Sequence, residues 1–129
     1  MNYKTKDSGV RKDFKSGMSR DSQKGKPDYY LCITDDEPLE VQLLTRWAEL
    51  MTRGAEKYGN RNWQLADSKE ELERFKASAF RHFMQWIAGE NDEDHAAAVL
   101  FNINAVEYVK RKNEKMCDKK CGRSCKGKS

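Results

Sequence analysis

The chain has 129 residues, of which 37% are hydrophobic and 36% charged. That is enough for one domain with a single modest core, and too polar for every segment to join it. No apolar run approaches the length of a membrane span, and no charged-then-apolar start resembles a signal peptide, so the expected location is the cytoplasm.

The net charge of +4 is unevenly spread: residues 1–30 carry +4, residues 31–109 carry −7 and residues 110–129 carry +7. Basic ends flank an acidic body. Such ends contact nucleic acid weakly and without sequence choice, or simply keep the termini solvated. An acidic body suits metal ions better than DNA.

Taken in chain order, residues 1–37 read as a basic, largely irregular arm, rich in Lys, Ser, Gly and Asp. Asp35, Asp36 and Pro38 mark a helix start. Leu39, Leu43, Leu44, Trp47, Leu50 and Met51 follow at helical spacing. This helix should run to about Lys57, where Gly59 can stop it. Asn60 to Asp67 reads as a loop. Ser68-Lys-Glu-Glu71 matches the capping box of a second helix, which carries Leu72, Phe75, Ala79, Phe83, Trp86 and Ile87 on one side and ends at Gly89. Asn91 or Asp92 should cap a third helix, with Asp92, Glu93 and Asp94 in its first turn. From Ala96 to Val109 that helix is apolar on most of its circumference, as a central helix would be. It should fray at Lys110-Arg111-Lys112. No segment alternates as a strand. The expected fold is all-α: a bundle of three long helices over residues 38–112, completed by oligomerisation as a homodimer or larger assembly, followed by a basic cysteine-containing tail over 113–129.

The segment Gly54-Ala-Glu-Lys-Tyr-Gly-Asn-Arg-Asn-Trp63 concentrates charge, amide and aromatic groups between two helices. Lys57, Arg61 and Arg81 are suited to phosphates, Arg through paired hydrogen bonds and Lys as a point charge. Asn62 can read a base edge; Trp63 can stack on a base or plug the core. Glu49 and Glu56 share a helix face two turns apart, and Asp94 lies at the start of the third helix. Carboxylates converging from both helices would suit a hard cation such as Mg²⁺, although each alone also reads as a solvated surface acid. His82 and His95 can ligate metal, contact phosphate or act as general bases. They can equally form a structural polar seam with Asn102. Cys117, Cys121 and Cys125 recur every fourth residue, and a zinc site there is disfavoured by its spacing and its loose, basic surroundings.

Gly54–Trp63 with Arg81-His82, Gly89–His95 and Asn102 resembles the phage-associated dATP/dGTP diphosphohydrolase-like family, placed near the all-α MazG-type nucleotide pyrophosphohydrolases. In the arm, Gly17-Met-Ser-Arg-Asp21 and Gly25-Lys-Pro-Asp28 resemble that family's opening elements. The resemblance covers roughly residues 16–109. It implies Mg²⁺-dependent cleavage of a deoxynucleoside triphosphate to a monophosphate and pyrophosphate, with purine deoxynucleotides favoured and a phage origin. It implies Glu49, Glu56 and Asp94 as metal ligands, and Lys57, Arg61 and Arg81 on phosphate. Asn62 and Trp63 would lie on the base, and Arg20, Lys26 and Asp28 of the arm would close over the ligand. Glu56, His82 and His95 are the candidate catalytic groups. Thr52 and Ala96 stand where MazG-type helices carry partner acids. That thinner acidic set gives a second reading, in which the protein sequesters a nucleotide signal of host defence without cutting it.

Overall fold

The computed structural model describes residues 3–121, without the side chains of 120 and 121. The chain forms two units, Met1–Thr34 and Asp35–Ser129.

The first unit contains a β-hairpin where an irregular arm is expected. Strands β1 (Arg11–Asp13) and β2 (Ser19–Asp21) pair antiparallel, with Arg11 opposite Asp21 and Asp13 opposite Ser19. Gly17, at φ 92°, allows the reversal between them, and its N–H donates to the Phe14 carbonyl at 2.9 Å. The hairpin has almost no buried face, which is why no apolar alternation announces it. Polar groups hold it instead. Asp21 accepts from the Ser8 hydroxyl at 2.6 Å, Lys26 Nζ at 2.9 Å and Arg11 at 3.2 Å. The bonds from Ser8, foremost, and from Lys26 hold the Asp21 carboxyl down to about 2.

The second unit is helical: α1 (Leu43–Tyr58), α2 (Lys69–Ile87) and α3 (His95–Cys121). The three helices and the helical class agree with expectation, with the small two-stranded sheet as the addition. The first helix starts later than Pro38 suggests. Pro38 instead caps a single 3-10 turn over Leu39–Val41, and the buried Gln42 precedes α1. Asp36 adopts a left-handed φ of 61° just before this turn, which breaks any helix begun at Asp35. At the other end Gly59 stops α1 as expected, at φ 95°, its N–H donating to the Ala55 carbonyl.

The capping box forms in full. Glu71 N–H donates to Ser68 Oγ at 3.1 Å, and the Glu71 carboxylate accepts from the Ser68 backbone. The start of α3 differs from expectation. Asp92 and Glu93 lie outside the helix, and Asp94 is its cap, accepting from Ala97 N–H at 3.1 Å. At the far end α3 does not fray at residues 110–112. Val109 is fully buried, and Lys112 Nζ donates to the carbonyls of Gln64 at 2.9 Å and Ala66 at 3.2 Å, which anchors the helix beyond the basic run.

Helix α3 is central, packing against both α1 and α2. The close approach is made by small residues: Ala97, Ala98 and Ala105 are buried along it. A compact apolar cluster of Ala66, Leu72 and Val109, flanked by Phe75, Val106 and Tyr108, joins α2 and the 63–66 turn to α3. The apolar side of α2 is used only in its first half. Phe80, Phe83, Met84, Trp86 and Ile87 are all exposed. No helix among the described residues is long and apolar enough to cross a membrane.

Candidate functional site

A cleft of about 990 Å³ opens in the helical unit. The second half of α1 and the turn after it form one wall, from Leu50 to Trp63. Arg74, Phe75, Ser78 and His82 of α2 form another, and Ala98, Phe101 and Asn102 of α3 the floor. Glu93 and Asp94, just before α3, also line it.

The turn after α1 is held in shape by backbone and aromatic contacts. Arg61 sits in the left-handed region at φ 56°, and a 3-10 turn over Asn62–Leu65 follows. Trp63 packs edge-on against Phe101 (6.0 Å) and Tyr108 (5.3 Å) of α3, and Phe75 packs against Phe101 at 6.1 Å. Such pairs contribute roughly 0.5–1.5 kcal/mol each beyond burial. Trp63 therefore borders the cleft and also pins the turn to α3. Neighbouring Arg61 and Asn62 are exposed at the rim.

Four cationic side chains border this cleft: Arg53 and Lys57 from α1, Arg61 from the turn and Arg74 from α2. Arg53 and Arg74 are not singled out in the sequence, because a lone Arg on a helix surface looks like any solvated charge. Lys57 Nζ lies 5.0 Å from the centre of the Tyr58 ring, a contact that holds the ammonium beside an aromatic face.

Just before α3, Asp94 receives both arms of the Arg46 guanidinium, from Nε to Oδ2 and Nη2 to Oδ1, each at 2.8 Å. The Arg46 bonds hold the Asp94 carboxyl below its usual range, against the opposing effect of burial, and Arg53 lowers it further. Asp94 thus already serves a bidentate ion pair and a helix cap. This bears on the expected set of Glu49, Glu56 and Asp94. Glu49 and Glu56 are exposed on α1 and do not line the cleft, and the three do not gather into one ligand group. A Mg²⁺ site of several protein oxygens is not assembled by those residues.

The residues that do gather are His82, Glu93 and His95: one ligand atom from each lies within 4.8 Å of the others. Both histidines are buried, and Glu93 is exposed at the cleft. His82 Nδ1 and His95 Nδ1 are 2.9 Å apart, His95 Nε2 is 2.8 Å from Asp92 Oδ1, and Arg81 Nη2 is 3.4 Å from His82 Nε2. One assignment of protons satisfies every contact. Arg81 donates to His82 Nε2, His82 Nδ1–H donates to His95 Nδ1, and His95 Nε2–H donates to Asp92. Both rings are then neutral. Burial, and next the Arg81 charge, push the His82 pKa down, which agrees. Asn102, also buried, is not a member of this chain of bonds. Its amide donates to the Ala98 carbonyl of its own helix at 2.8 Å. The polar seam is thus a histidine pair with Asn102 separately satisfied.

Of the residues singled out in the sequence, Lys57, Arg61, Asn62, Trp63, His82 and Asp94 border the cleft. Glu49, Glu56, Arg81 and His95 do not, though Arg81 and His95 both touch His82. Arg20 and Lys26 belong to the hairpin unit, where Lys26 is paired with Asp21. Cys117 lies on the last turns of α3, the Cys121 side chain is not described, and Cys125 lies outside the described residues.

A helical unit with a cation-rimmed cleft, an aromatic wall and a histidine–carboxylate corner has the composition of a site for a phosphorylated, ring-bearing ligand. Residues 16–119 match the family described as dATP/dGTP diphosphohydrolase, N-terminal, and the chain belongs to that family. No curated protein and no solved structure matches it.

Proposed function

We propose that the chain hydrolyses a deoxynucleoside triphosphate, dATP or dGTP in preference, to the monophosphate and pyrophosphate, in a phage-infected bacterial cytoplasm. One observation carries this reading: Arg53, Lys57, Arg61 and Arg74 line one cleft together with His82 and Glu93. The cations would hold the polyphosphate, with Arg81 behind His82. Asn62 and Trp63 at the rim would meet the base. Water would attack the α-phosphorus, the bond to the bridging oxygen would break, and pyrophosphate would leave with that oxygen. The acceptor groups able to orient this water lie in the His82–Glu93 corner, with His95 behind His82. Mg²⁺ belongs to this reading as the counter-ion that the triphosphate brings. Because Glu49, Glu56 and Asp94 do not assemble a site for it, no step is assigned through it. The exposed apolar face of α2 supports a homo-oligomer.

The test is a panel of canonical nucleotides incubated with purified protein and Mg²⁺, with products identified by mass spectrometry. Pyrophosphate and dAMP or dGMP are expected. The yield should fall about 10–100-fold in Lys57→Ala, by loss of one charge-assisted phosphate contact. The second reading, sequestration of a nucleotide without cleavage, draws on the unassembled acids of α1. Its signature is stoichiometric binding that survives chelation, with the ligand recovered unchanged. If neither cleavage nor binding is detected, both readings fail.

A further inference from the structure

We infer that His82, Glu93 and His95 form a site for one divalent transition-metal ion, where the middle of α2 meets the start of α3. The inference stands apart from the nucleotide reading, because the ion is measured with no nucleotide present.

The geometry is close to what such an ion needs. Bonds of about 2.0–2.1 Å in a four-coordinate site place ligand atoms roughly 3–3.5 Å apart. Here the three candidate atoms already lie within 4.8 Å of one another, so small rotations of the side chains close the set. His95 is oriented in advance. Its Nε2 faces Asp92 Oδ1 at 2.8 Å, which fixes the ring and leaves the Nδ1 lone pair directed at His82. A carboxylate behind a histidine is the usual outer support of a metal-bound imidazole. His82 must make one change. The proton on Nδ1 is lost to solvent and Nε2 takes one up, so the ring stays neutral and Nδ1 becomes a ligand. The cost is the 3.4 Å contact with Arg81, whose exposed side chain can turn to water.

The donor set decides the ion. Two imidazole nitrogens and one carboxylate match the borderline ions of the first transition row, whereas Mg²⁺ demands near-octahedral oxygen. Three protein ligands leave a position open. Because His82 and Glu93 border the cleft, that position faces it.

The experiment uses full-length protein stripped with a chelator and titrated with Co²⁺ and, separately, Zn²⁺, followed by visible absorption and calorimetry. One ion per chain is expected. Affinity should fall about 10–100-fold in Asp92→Asn, and by at least as much in Glu93→Gln. Both positions are exposed, so circular dichroism should stay unchanged. Mg²⁺ in large excess should not displace the ion. The titration is repeated with Cys32, Cys117, Cys121 and Cys125 all replaced by Ser, which removes cysteine sulfur as a source of signal. Four results would overturn the assignment: no uptake, undiminished uptake by Glu93→Gln, ready displacement by Mg²⁺, or uptake that vanishes in the cysteine-free background.

Discussion

The hairpin unit and the helical unit solve the same problem by different means. Each must hold a polar chain in one shape. The hairpin does it with exposed polar bonds centred on Asp21, and the helices do it with a small apolar cluster around Leu72 and Val109. Exposed ion pairs contribute little and weaken with salt, whereas buried apolar contacts are lost only with the fold. The difference teaches that family membership over residues 16–119 spans two elements of very unequal robustness.

Four substitutions probe that contrast, beginning with the largest effect. Leu72→Ala removes one of the few large side chains in the apolar cluster. It should destabilise the helical unit by about 2–5 kcal/mol in urea unfolding. A change within about 0.5 kcal/mol would mean that the cluster is not what holds the helices. Asp94→Ala removes a helix cap and the partner of Arg46, and should cost about 1–3 kcal/mol by the same assay. Arg46→Ala should add little to that cost when combined with it, because the two losses share one interaction. Asp21→Asn should abolish the hairpin's cross-strand amide signals in NMR while leaving helical unfolding unchanged within about 0.5 kcal/mol.

The pH dependence sharpens the same point. The Asp21 carboxyl is lowered from 3.8 to about 2 in the folded hairpin, so its ionised form is the stabilising one. Its contribution is therefore complete above the unfolded value of 3.8 and is lost as pH falls towards about 2. Acid titration followed by NMR should show the hairpin loosening in that window. A hairpin that persists unchanged at the low end would show that Ser8 and Lys26 do not depend on the charge.

What was legible in the sequence was local. Ser68 and Glu71 announce their capping box because both partners lie within one turn, and Gly59 announces its stop because few other residues take its φ. The hairpin was not legible, because exposed strands leave no apolar rhythm. The role of Asp94 was not legible either. Its partner Arg46 is 48 residues away, and an acid beside a helix start looks like a dipole charge until that pairing is known. The same holds for the site. The turn from Lys57 to Trp63 stood out by its density of functional groups. Arg53 and Arg74 did not, since only the packing of α1 and α2 against α3 brings them to one cleft. His82 and His95 stand out as the only histidines of the sequence, but their direct contact depends on the fold.

The two bonds from Lys112 Nζ to the carbonyls of Gln64 and Ala66 tie the loop beside the cleft to a residue nearly five helical turns into α3. A single ammonium thereby restrains that loop at two carbonyls. Amide hydrogen exchange at Gln64 and Ala66 should be protected in proportion to the integrity of α3 near residue 112. Neutralising Lys112, by acetylation or by substitution, would speed exchange there, so a modification remote in sequence would set the breathing rate of the cleft's rim.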